Sequence, residues 1–249
     1  MSLVDLHSVC GYTSHGVPAF SNGTSNTWTN SKSYVDGVFM GYRWQCVEFA
    51  RRWLWTTQRL LLPERNCAYC FASCKHVYRL KEDPIDPHRQ SRRNERGAGN
   101  ACMSPSTPAT VKRAAALASP SPGETKAASA TTTAPAVEIL GPRKDAEAWE
   151  KVPAVFVKQG SSLPPVPNSL IVYPMSWGSP WGHIGVITKV DLERGLVYVA
   201  DQNRYFHNWG HHAYSAVFPL EVNRGRYYIR DHESECKGWL TFPSHVEGH

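Results

Sequence analysis

The sequence lacks any long apolar segment, since no run approaches the about 18 consecutive apolar residues of a membrane-spanning helix. No secretory leader is expected either, because MSLVDLHSVCGYTSHG has no basic start followed by an apolar run and no alanine-type cleavage site. The seven cysteines are an odd number, so full disulfide pairing would leave one thiol over. These absences predict a cytoplasmic protein with free thiols in a reducing compartment.

Aromatic residues are missing from one long stretch. Between Arg79 and Ala148 there is no Phe, Tyr or Trp, although the whole chain holds 9 Trp, 11 Tyr and 8 Phe. The stretch carries the basic run HRQSRRNER and then a tract of Ala, Ser, Pro and Thr. Such a segment buries too little apolar surface to offset the entropy of ordering its backbone. We therefore predict one domain over residues 1–242, interrupted by a flexible insertion at about 82–145 and followed by a tail at 243–249.

The charge of the chain does not point to a polyanionic partner. The formal net charge is +6, and roughly half of the excess falls in the aromatic-poor stretch. The sequence also lacks a zinc-finger or RNP motif with base-stacking aromatics. We predict no nucleic-acid and no membrane partner. HRQSRRNER is interpreted as a solvated tract, with contact to nucleic acid or an acidic partner as the alternative.

Helical periodicity comes first along the chain and strand patterns follow. QCVEFARRWLW predicts a helix over about 45–60, because its apolar positions recur at spacings of three and four, and Pro63 should stop it. Residues 62–80 are a second possible helix. Five later segments between turn residues are predicted strands: 169–174, 182–191, 195–203, 216–222 and 225–232. This order predicts an α+β fold, with N-terminal helices packed on an antiparallel β-sheet.

One set of residues has the composition of a thiol hydrolase site. Cys46 stands at the expected start of the helix, where the helix dipole favours a thiolate. A nucleophilic thiol needs a base within hydrogen-bond reach and a third group to orient that base. His183, before one predicted strand, is the candidate base, and Asp201, ending the next, is the candidate orienting group. Gln45 and the Cys46 N–H offer oxyanion donors. From these residues alone, a small buried structural cysteine remains the alternative.

Three segments, GYRWQCVEFARRWLW, PWGHIGVIT and VYVADQN, resemble the CHAP family of cysteine, histidine-dependent amidohydrolases and peptidases. More narrowly, they resemble the amidase half of the glutathionylspermidine and trypanothione synthetase/amidases. GYTSHGVPAFSN and IRDHESECKGWLTF are similar to segments of the same family, so the likeness covers roughly 8–80 and 150–242. The resemblance implies a papain-like fold and a thiol amidase that acts on a small glutathione–polyamine conjugate, without a metal or another cofactor.

The resemblance also implies individual roles. Cys46 matches the nucleophile, His183 the general base and Asp201 the acidic orienting residue, where bacterial members carry Glu. On the substrate side, Gln45 matches an oxyanion donor and Arg51 matches an arginine that holds substrate or gates the thiol. Asn203 matches an asparagine that lines the site.

The sequence departs from the family in two respects. Bifunctional relatives continue into an ATP-grasp synthetase domain, for which no room is left after Phe242, so this chain is not expected to make the conjugate. A separate synthetase is then one candidate partner. The insertion has no counterpart in the bacterial enzymes. Two other functions stay open: hydrolysis of peptidoglycan or peptide amides, and a catalytically silent remnant that binds polyamine conjugates.

A cysteine-rich segment, a histidine-rich segment and two tryptophans can each be interpreted in two ways. CAYCFASCKH (67–76) has zinc-like spacing, but a structural zinc site usually pairs two such knuckles, so we predict ordinary thiols. YFHNWGHHAYS (205–215) contains His207, His211 and His212 and is interpreted as an exposed loop rather than a metal site. Trp177 and Trp181 lie just before His183, and form either an apolar wall of the cleft or part of the core.

Overall fold

The computed structural model describes residues 4–23, 29–81, 146–176, 179–204 and 207–242. The predicted insertion at 82–145 and the predicted tail at 243–249 lie outside the described residues. The described helical elements are α1 (Cys46–Gln58) and the 3₁₀ turns Tyr69–Ser73 and Ala146–Ala148. The strands are β1 (Val9–Tyr12), β2 (Pro18–Phe20), β3 (Lys32–Val35), β4 (Val38–Tyr42), β5 (Leu60–Leu61), β6 (His76–Leu80), β7 (Trp149–Pro153), β8 (Val155–Lys158), β9 (Leu170–Tyr173), β10 (His183–Asp191), β11 (Leu196–Ala200), β12 (Ala216–Asn223), β13 (Arg226–Ile229) and β14 (Gly238–Thr241).

The largest sheet has seven strands in the order β13-β12-β11-β10-β9-β14-β8, and all its neighbouring pairs are antiparallel. Its two edges meet beyond the end of β8. The Gly160 N–H donates to the Tyr227 carbonyl, and the Tyr227 N–H donates to the Ser161 carbonyl, each over 2.9 Å. The sheet therefore curls back on itself. The five predicted strands are confirmed as β9 to β13.

The central strands of this sheet are buried on both faces. One face contributes residues such as Val199 and Trp239 to a cluster formed by the sheet itself. The opposite face contributes Val186 and Leu240 to the core shared with α1, which includes the fully buried Trp53. Two-sided burial explains why the predicted strands 169–174 and 182–191 read as nearly continuous apolar runs rather than as alternations.

Helix α1 begins at Cys46 and ends at Gln58, within the predicted 45–60. Its end is not set by Pro63. Arg59 takes a left-handed conformation with φ of 53°, and its N–H donates to carbonyls of the last turn, as in a common helix C-cap. The chain then enters β5. Within the part of the chain that the structure describes, no helix is long and apolar enough to cross a membrane.

The predicted α+β class, with N-terminal helices packed on an antiparallel sheet in a papain-like fold, is wrong. The described part is mainly β, with α1 as its single α-helix. The second predicted helix, 62–80, is instead a 3₁₀ turn followed by β6. β6 pairs with β7 on the far side of residues 82–145, in the small sheet β5-β6-β7. Local apolar spacing could not show this, because strand formation depends on a partner distant in sequence.

Candidate active site

His183 and Asp201 are brought together by two neighbouring strands. His183 is the first residue of β10, Asp201 directly follows β11, and the antiparallel register pairs Val186 with Ala200. The Nε2 atom of His183 lies 2.9 Å from Oδ2 of Asp201. Only 13% of the His183 side chain and 2% of the Asp201 side chain are exposed. This contact occupies Nε2, so Nδ1 is the ring nitrogen left for a second partner.

Two glycines allow the chain to pack this tightly around the histidine. A Cβ atom at Gly185 would lie 3.1 Å from the Asp201 Cβ atom and 2.9 Å from a Val199 methyl carbon. Gly182 has a φ of +67°, and a Cβ atom there would lie 2.7 Å from a backbone carbonyl oxygen of β9. A side chain at either position would displace the elements that hold His183. Sequence reasoning missed these roles, although the glycines flank the histidine in GHIG.

Cys46, the first residue of α1, is half-buried. It is near enough to the His183 side chain that its charge and hydrogen-bonding capacity both raise the pKa of that histidine. One helix start and two strand ends therefore converge on one point, and they unite the three predicted catalytic side chains. The positive end of the helix dipole acts on the sulfur as well. A thiol, an imidazole and a carboxylate in series are the groups that cysteine-based nucleophilic catalysis requires.

His183 and Asp201 each shift the pKa of the other towards the charged form. Burial lowers the pKa of His183, but the Cys46 thiolate charge, the hydrogen bonds with Asp201 and Cys46 and the Asp201 charge together raise it to about 9. Burial raises the pKa of Asp201, but hydrogen bonds from His183 and Ser215 and the charges of His183 and Arg204 hold it below its ordinary value. Cys46 and Asp201 therefore both favour the protonated form of His183.

The other free thiols of the described part have a different environment. Cys10, Cys74 and Cys236 are all buried. Burial, and secondarily the charge of Asp201, raises the pKa of Cys10 to about 11. Burial is also the main cause that raises the pKa of Cys236 to about 12. These thiols are held in the neutral form, which is a poor nucleophile.

Ser215 holds the far side of Asp201. The Asp201 N–H donates to the Ser215 Oγ atom over 3.1 Å, and that Oγ atom lies 2.6 Å from Oδ1 of the same carboxylate. Sequence reasoning missed Ser215, which stands at the end of a histidine-rich loop with no motif around it. The pairing of β11 with β12 could have located it, because Ser215 directly precedes β12 and Asp201 directly follows β11.

Gln45 and Asn203 meet beside the start of α1. The Asn203 Nδ2 atom donates to Oε1 of Gln45 over 2.9 Å, and the Asn203 Oδ1 atom accepts from Asn22 Nδ2 over 3.1 Å. Asn22 is fully buried and was not singled out in the sequence. The contact turns the carbonyl end of the Gln45 amide towards Asn203, and so turns its NH₂ end the other way. The structure thus places Asn203 against the side chain of Gln45, the residue that directly precedes Cys46.

Arg51 is engaged in the fold. It is 3% exposed, and its guanidinium donates to the carbonyls of Leu62 (2.5 Å) and Phe39 (2.8 Å). It lines a cleft of about 230 Å³ together with residues 62–65, His76 and Tyr78. Cys46 is not among the lining residues of that cleft. Both of these hydrogen bonds go to backbone carbonyls beyond the ends of its own helix, and the guanidinium also lies 6.0 Å from the centroid of the Phe39 ring.

The cysteine-rich segment 67–76 contains a disulfide bond between Cys67 and Cys70. The prediction of free thiols is wrong for this pair. Cys74 remains a thiol, and its Sγ atom donates to the His76 carbonyl over 3.1 Å. Across the described ranges, no group of three or more His, Cys, Asp or Glu side chains is placed to hold a metal ion.

The histidine-rich loop and the tryptophans take separate positions. His211 and His212 are exposed and line a cleft of about 370 Å³ with residues 9–12, while His207 is half-buried. Trp181 is 62% exposed, so the alternative that it is a core residue is wrong. Trp177 lies outside the described residues.

Comparisons with known proteins show homology to two enzymes. The chain is 30% identical over 247 residues to the trypanothione synthetase of Crithidia fasciculata, a match that takes in 97% of this chain and 27% of that protein. It is 30% identical over 87 residues to the bifunctional glutathionylspermidine synthetase/amidase of Escherichia coli (strain K12), which takes in 32% of this chain and 14% of that protein. The same protein of Shigella flexneri matches with the same values. No family model matches the chain. The chain thus spans 27% and 14% of the lengths of these relatives.

Proposed function

We propose that this chain is a cysteine amidohydrolase that cleaves the amide bond between the glycine of glutathione and a polyamine, as in glutathionylspermidine or trypanothione. The observation that carries the proposal is the hydrogen bond between His183 and Asp201 beside Cys46, with the pKa of the histidine raised to about 9 by both neighbours. The substrate class is supported by homology to proteins named for glutathionylspermidine and trypanothione. Cys46 and His183 come from opposite sides of residues 82–145, which supports residues 1–242 as one domain.

The first half of the proposed reaction forms a thioester. The Cys46 sulfur attacks the glycyl carbonyl carbon, and the carbonyl π electrons move to oxygen. The Cys46 N–H and the Gln45 side chain donate hydrogen bonds to that oxyanion. As the oxyanion collapses, the C–N bond breaks, and His183 gives its proton to the departing amine nitrogen. The products of this half are the free amine, an acylated Cys46 and a neutral His183.

The second half releases glutathione. Neutral His183 takes a proton from water while the water oxygen attacks the thioester carbonyl carbon. Collapse of this second oxyanion expels the Cys46 thiolate next to the imidazolium. The new carboxylic acid loses its proton to solvent, where the released amine takes one up. His183 mediates the proton transfers of both bond-breaking steps, and Asp201 keeps the His183 ring in one orientation throughout.

The test is direct hydrolysis of the conjugates. Purified protein is incubated with glutathionylspermidine or trypanothione, and the released glutathione and free amine are separated and quantified. We expect equimolar release by the wild-type protein and none by Cys46→Ala. The matched control is Cys74→Ser, which keeps a donor for the His76 carbonyl and should retain activity.

Other outcomes would redirect the proposal. No turnover of either conjugate, or equal turnover by Cys46→Ala, removes it. Clearing of bacterial cell walls in a turbidity assay, without turnover of the conjugates, would instead favour a peptidoglycan amidase. Binding of a conjugate without hydrolysis would favour a silent remnant.

A further inference from the structure

We propose that Gln202 is a positioning residue that fixes the start of α1, and hence Cys46, against the His183–Asp201 pair. The inference rests on the proposed function, since it concerns the same catalytic site. Gln202 directly follows Asp201 in the chain and is 2% exposed. Its neighbours in space, however, belong to the helix that carries the nucleophile.

The amide nitrogen of Gln202 contacts α1 on both sides of Cys46. Nε2 donates to the Gln45 carbonyl over 3.2 Å and to Oε2 of Glu48 over 2.9 Å. A primary amide nitrogen has two protons, so these contacts account for both of them. The side chain of Gln202 therefore holds both the residue before Cys46 and the first helical turn after it.

The amide oxygen of Gln202 is held equally firmly. Oε1 accepts from the Phe20 N–H over 2.8 Å and from Nη2 of Arg52 over 3.2 Å. A carbonyl oxygen has two lone pairs, so the hydrogen-bonding capacity of the amide is used in full. The side chain cannot rotate without breaking several buried hydrogen bonds, each of which would leave an unsatisfied group.

The partner of Gln202 on the helix is a buried ion pair. Glu48 is fully buried, and its Oε1 atom accepts from Arg52 Nε over 2.7 Å and from Ser33 Oγ over 2.8 Å. Arg52 also donates to the Pro18 carbonyl over 2.6 Å. Charges buried in this way keep their place only when every partner is present. The ion pair therefore anchors α1 to β2 and β3, and Gln202 joins the Asp201 side of the site to that anchor.

The contacts of Gln202 make it a positioning residue rather than a catalytic one. Its described hydrogen-bond partners are backbone groups of Phe20 and Gln45 and the side chains of Glu48 and Arg52. Its effect on the reaction would act through the Cys46–His183 separation. Displacement by about 1 Å is enough to lower the rate of an enzyme by about a hundredfold.

The test uses alkylation of Cys46 by iodoacetamide, which requires no substrate. The second-order rate is measured at about pH 6 and about pH 9, with peptide mapping by mass spectrometry to separate Cys46 from the other cysteines. A thiol paired with imidazolium reacts at similar rates at both values, whereas an ordinary thiol is almost fully protonated at pH 6. Among the described residues, the groups that face the His183 ring are Cys46 from α1, Asp201 after β11 and the ring of Tyr173 from β9. Burial raises the pKa of Tyr173 well above its ordinary value, so its phenol stays neutral over this range.

The variant is Gln202→Met, which keeps the shape of the side chain and removes its hydrogen bonds. We expect the ratio of the rate at pH 6 to the rate at pH 9 to fall at least about tenfold, because the Cys46 thiol is no longer held beside the His183 ring. Gln159→Met is the matched control. The Gln159 amide also makes two hydrogen bonds to backbone, both to Ile229 and remote from Cys46, so its loss should lower stability without moving the ratio.

Gln202→Asn is the second variant, because it retains the amide but shortens its reach by one methylene and should fold even if Gln202→Met does not. A ratio that stays at the wild-type value in a folded Gln202 variant overturns the inference. For any conjugate that is hydrolysed, we also expect kcat to fall while KM is unchanged. Wild-type protein that hydrolyses no conjugate but shows the expected shift in alkylation would remove the proposed substrate and leave this inference intact.

Discussion

Ser215 and Asp201 are joined at two points, by the Asp201 N–H that donates to Ser215 Oγ over 3.1 Å and by the contact of that Oγ atom with Asp201 Oδ1 over 2.6 Å. The first contact fixes the backbone of the residue and the second fixes the carboxylate. His183 occupies the other carboxylate oxygen, Oδ2. The Asp201 carboxylate is thus held at both of its oxygen atoms, by Ser215 at Oδ1 and by His183 at Oδ2.

Replacing Ser215 with Ala should therefore weaken the site through Asp201. The loss of a hydrogen bond to a buried carboxylate should lower the free energy of unfolding by about 1–3 kcal/mol and kcat/KM by about tenfold. Urea unfolding and steady-state kinetics on a hydrolysed conjugate measure the two effects. Ser73→Ala removes an exposed serine that donates to the Cys70 carbonyl, and it should change neither quantity appreciably. Full activity in Ser215→Ala would show that the carboxylate needs no second support.

The pH dependence of hydrolysis should report the raised pKa of His183. In the proposed reaction the amine leaves only while His183 carries a proton, so kcat/KM should stay level through neutral pH and fall as the pH rises through about 9. Asp201→Asn removes a hydrogen bond and a charge that raise this pKa, so its alkaline limb should move to lower pH. Rates across a pH series for both proteins provide the measurement. An alkaline limb near neutrality in the wild-type protein would contradict the imidazolium described above.

Stability in acid should follow the lowered pKa of Asp201. A carboxylate that ionises more easily when folded adds stability that is complete above its ordinary pKa of about 3.9 and is lost as the pH falls through its lower folded value. The difference in free energy of unfolding between wild type and Asp201→Asn should thus be constant from about pH 5 to 7 and shrink below about pH 4. Denaturant titrations at several pH values measure it. A difference that persists unchanged in strong acid would argue against a charged, stabilised Asp201.

Gly185→Ala should separate the role of close packing from general stability. Its Cβ atom would lie 3.1 Å from Asp201 Cβ, so we expect kcat/KM to fall at least about tenfold. The added methyl group should also lower the free energy of unfolding by about 1–3 kcal/mol. Gly225→Ala is the control for destabilisation alone, because Gly225 has a φ of +73° with nothing within 4 Å of the added Cβ. If both variants lose stability but only Gly185→Ala loses activity, close packing of β10 against Asp201 is needed for activity. Equal activity in the two variants would show that it is not.

The sequence predicted the structure best where the contacts join residues that are close along the chain. Periodicity placed Cys46 at a helix start, and the short connection between two strands predicted that His183 and Asp201 would lie side by side. Both statements concern neighbours along the chain or across one hairpin. For the same reason, strands β9 to β13 could be recognised from composition and turn residues.

Features that depend on distant partners were not accessible in the same way. β6 resembled a helix because its pairing with β7 crosses residues 82–145. Gln202 stood in a matched motif, yet its proposed positioning role rests on contacts with Phe20, Gln45 and Glu48, from two earlier elements. The charges of Glu48 and Arg52 on an otherwise apolar helix face were the available signal, since burial of such charges requires partners.

The junction between the two edges of the large sheet has a consequence for the behaviour of the protein in concentrated solution. An uncovered edge strand presents backbone donors and acceptors that can recruit a strand from another molecule and begin aggregation. Here the Tyr227 N–H and carbonyl are already occupied by Ser161 and Gly160 of the same chain. At this point β13 offers no template for intermolecular pairing, so the contact that closes the curl also blocks one position at which a second molecule could add a strand.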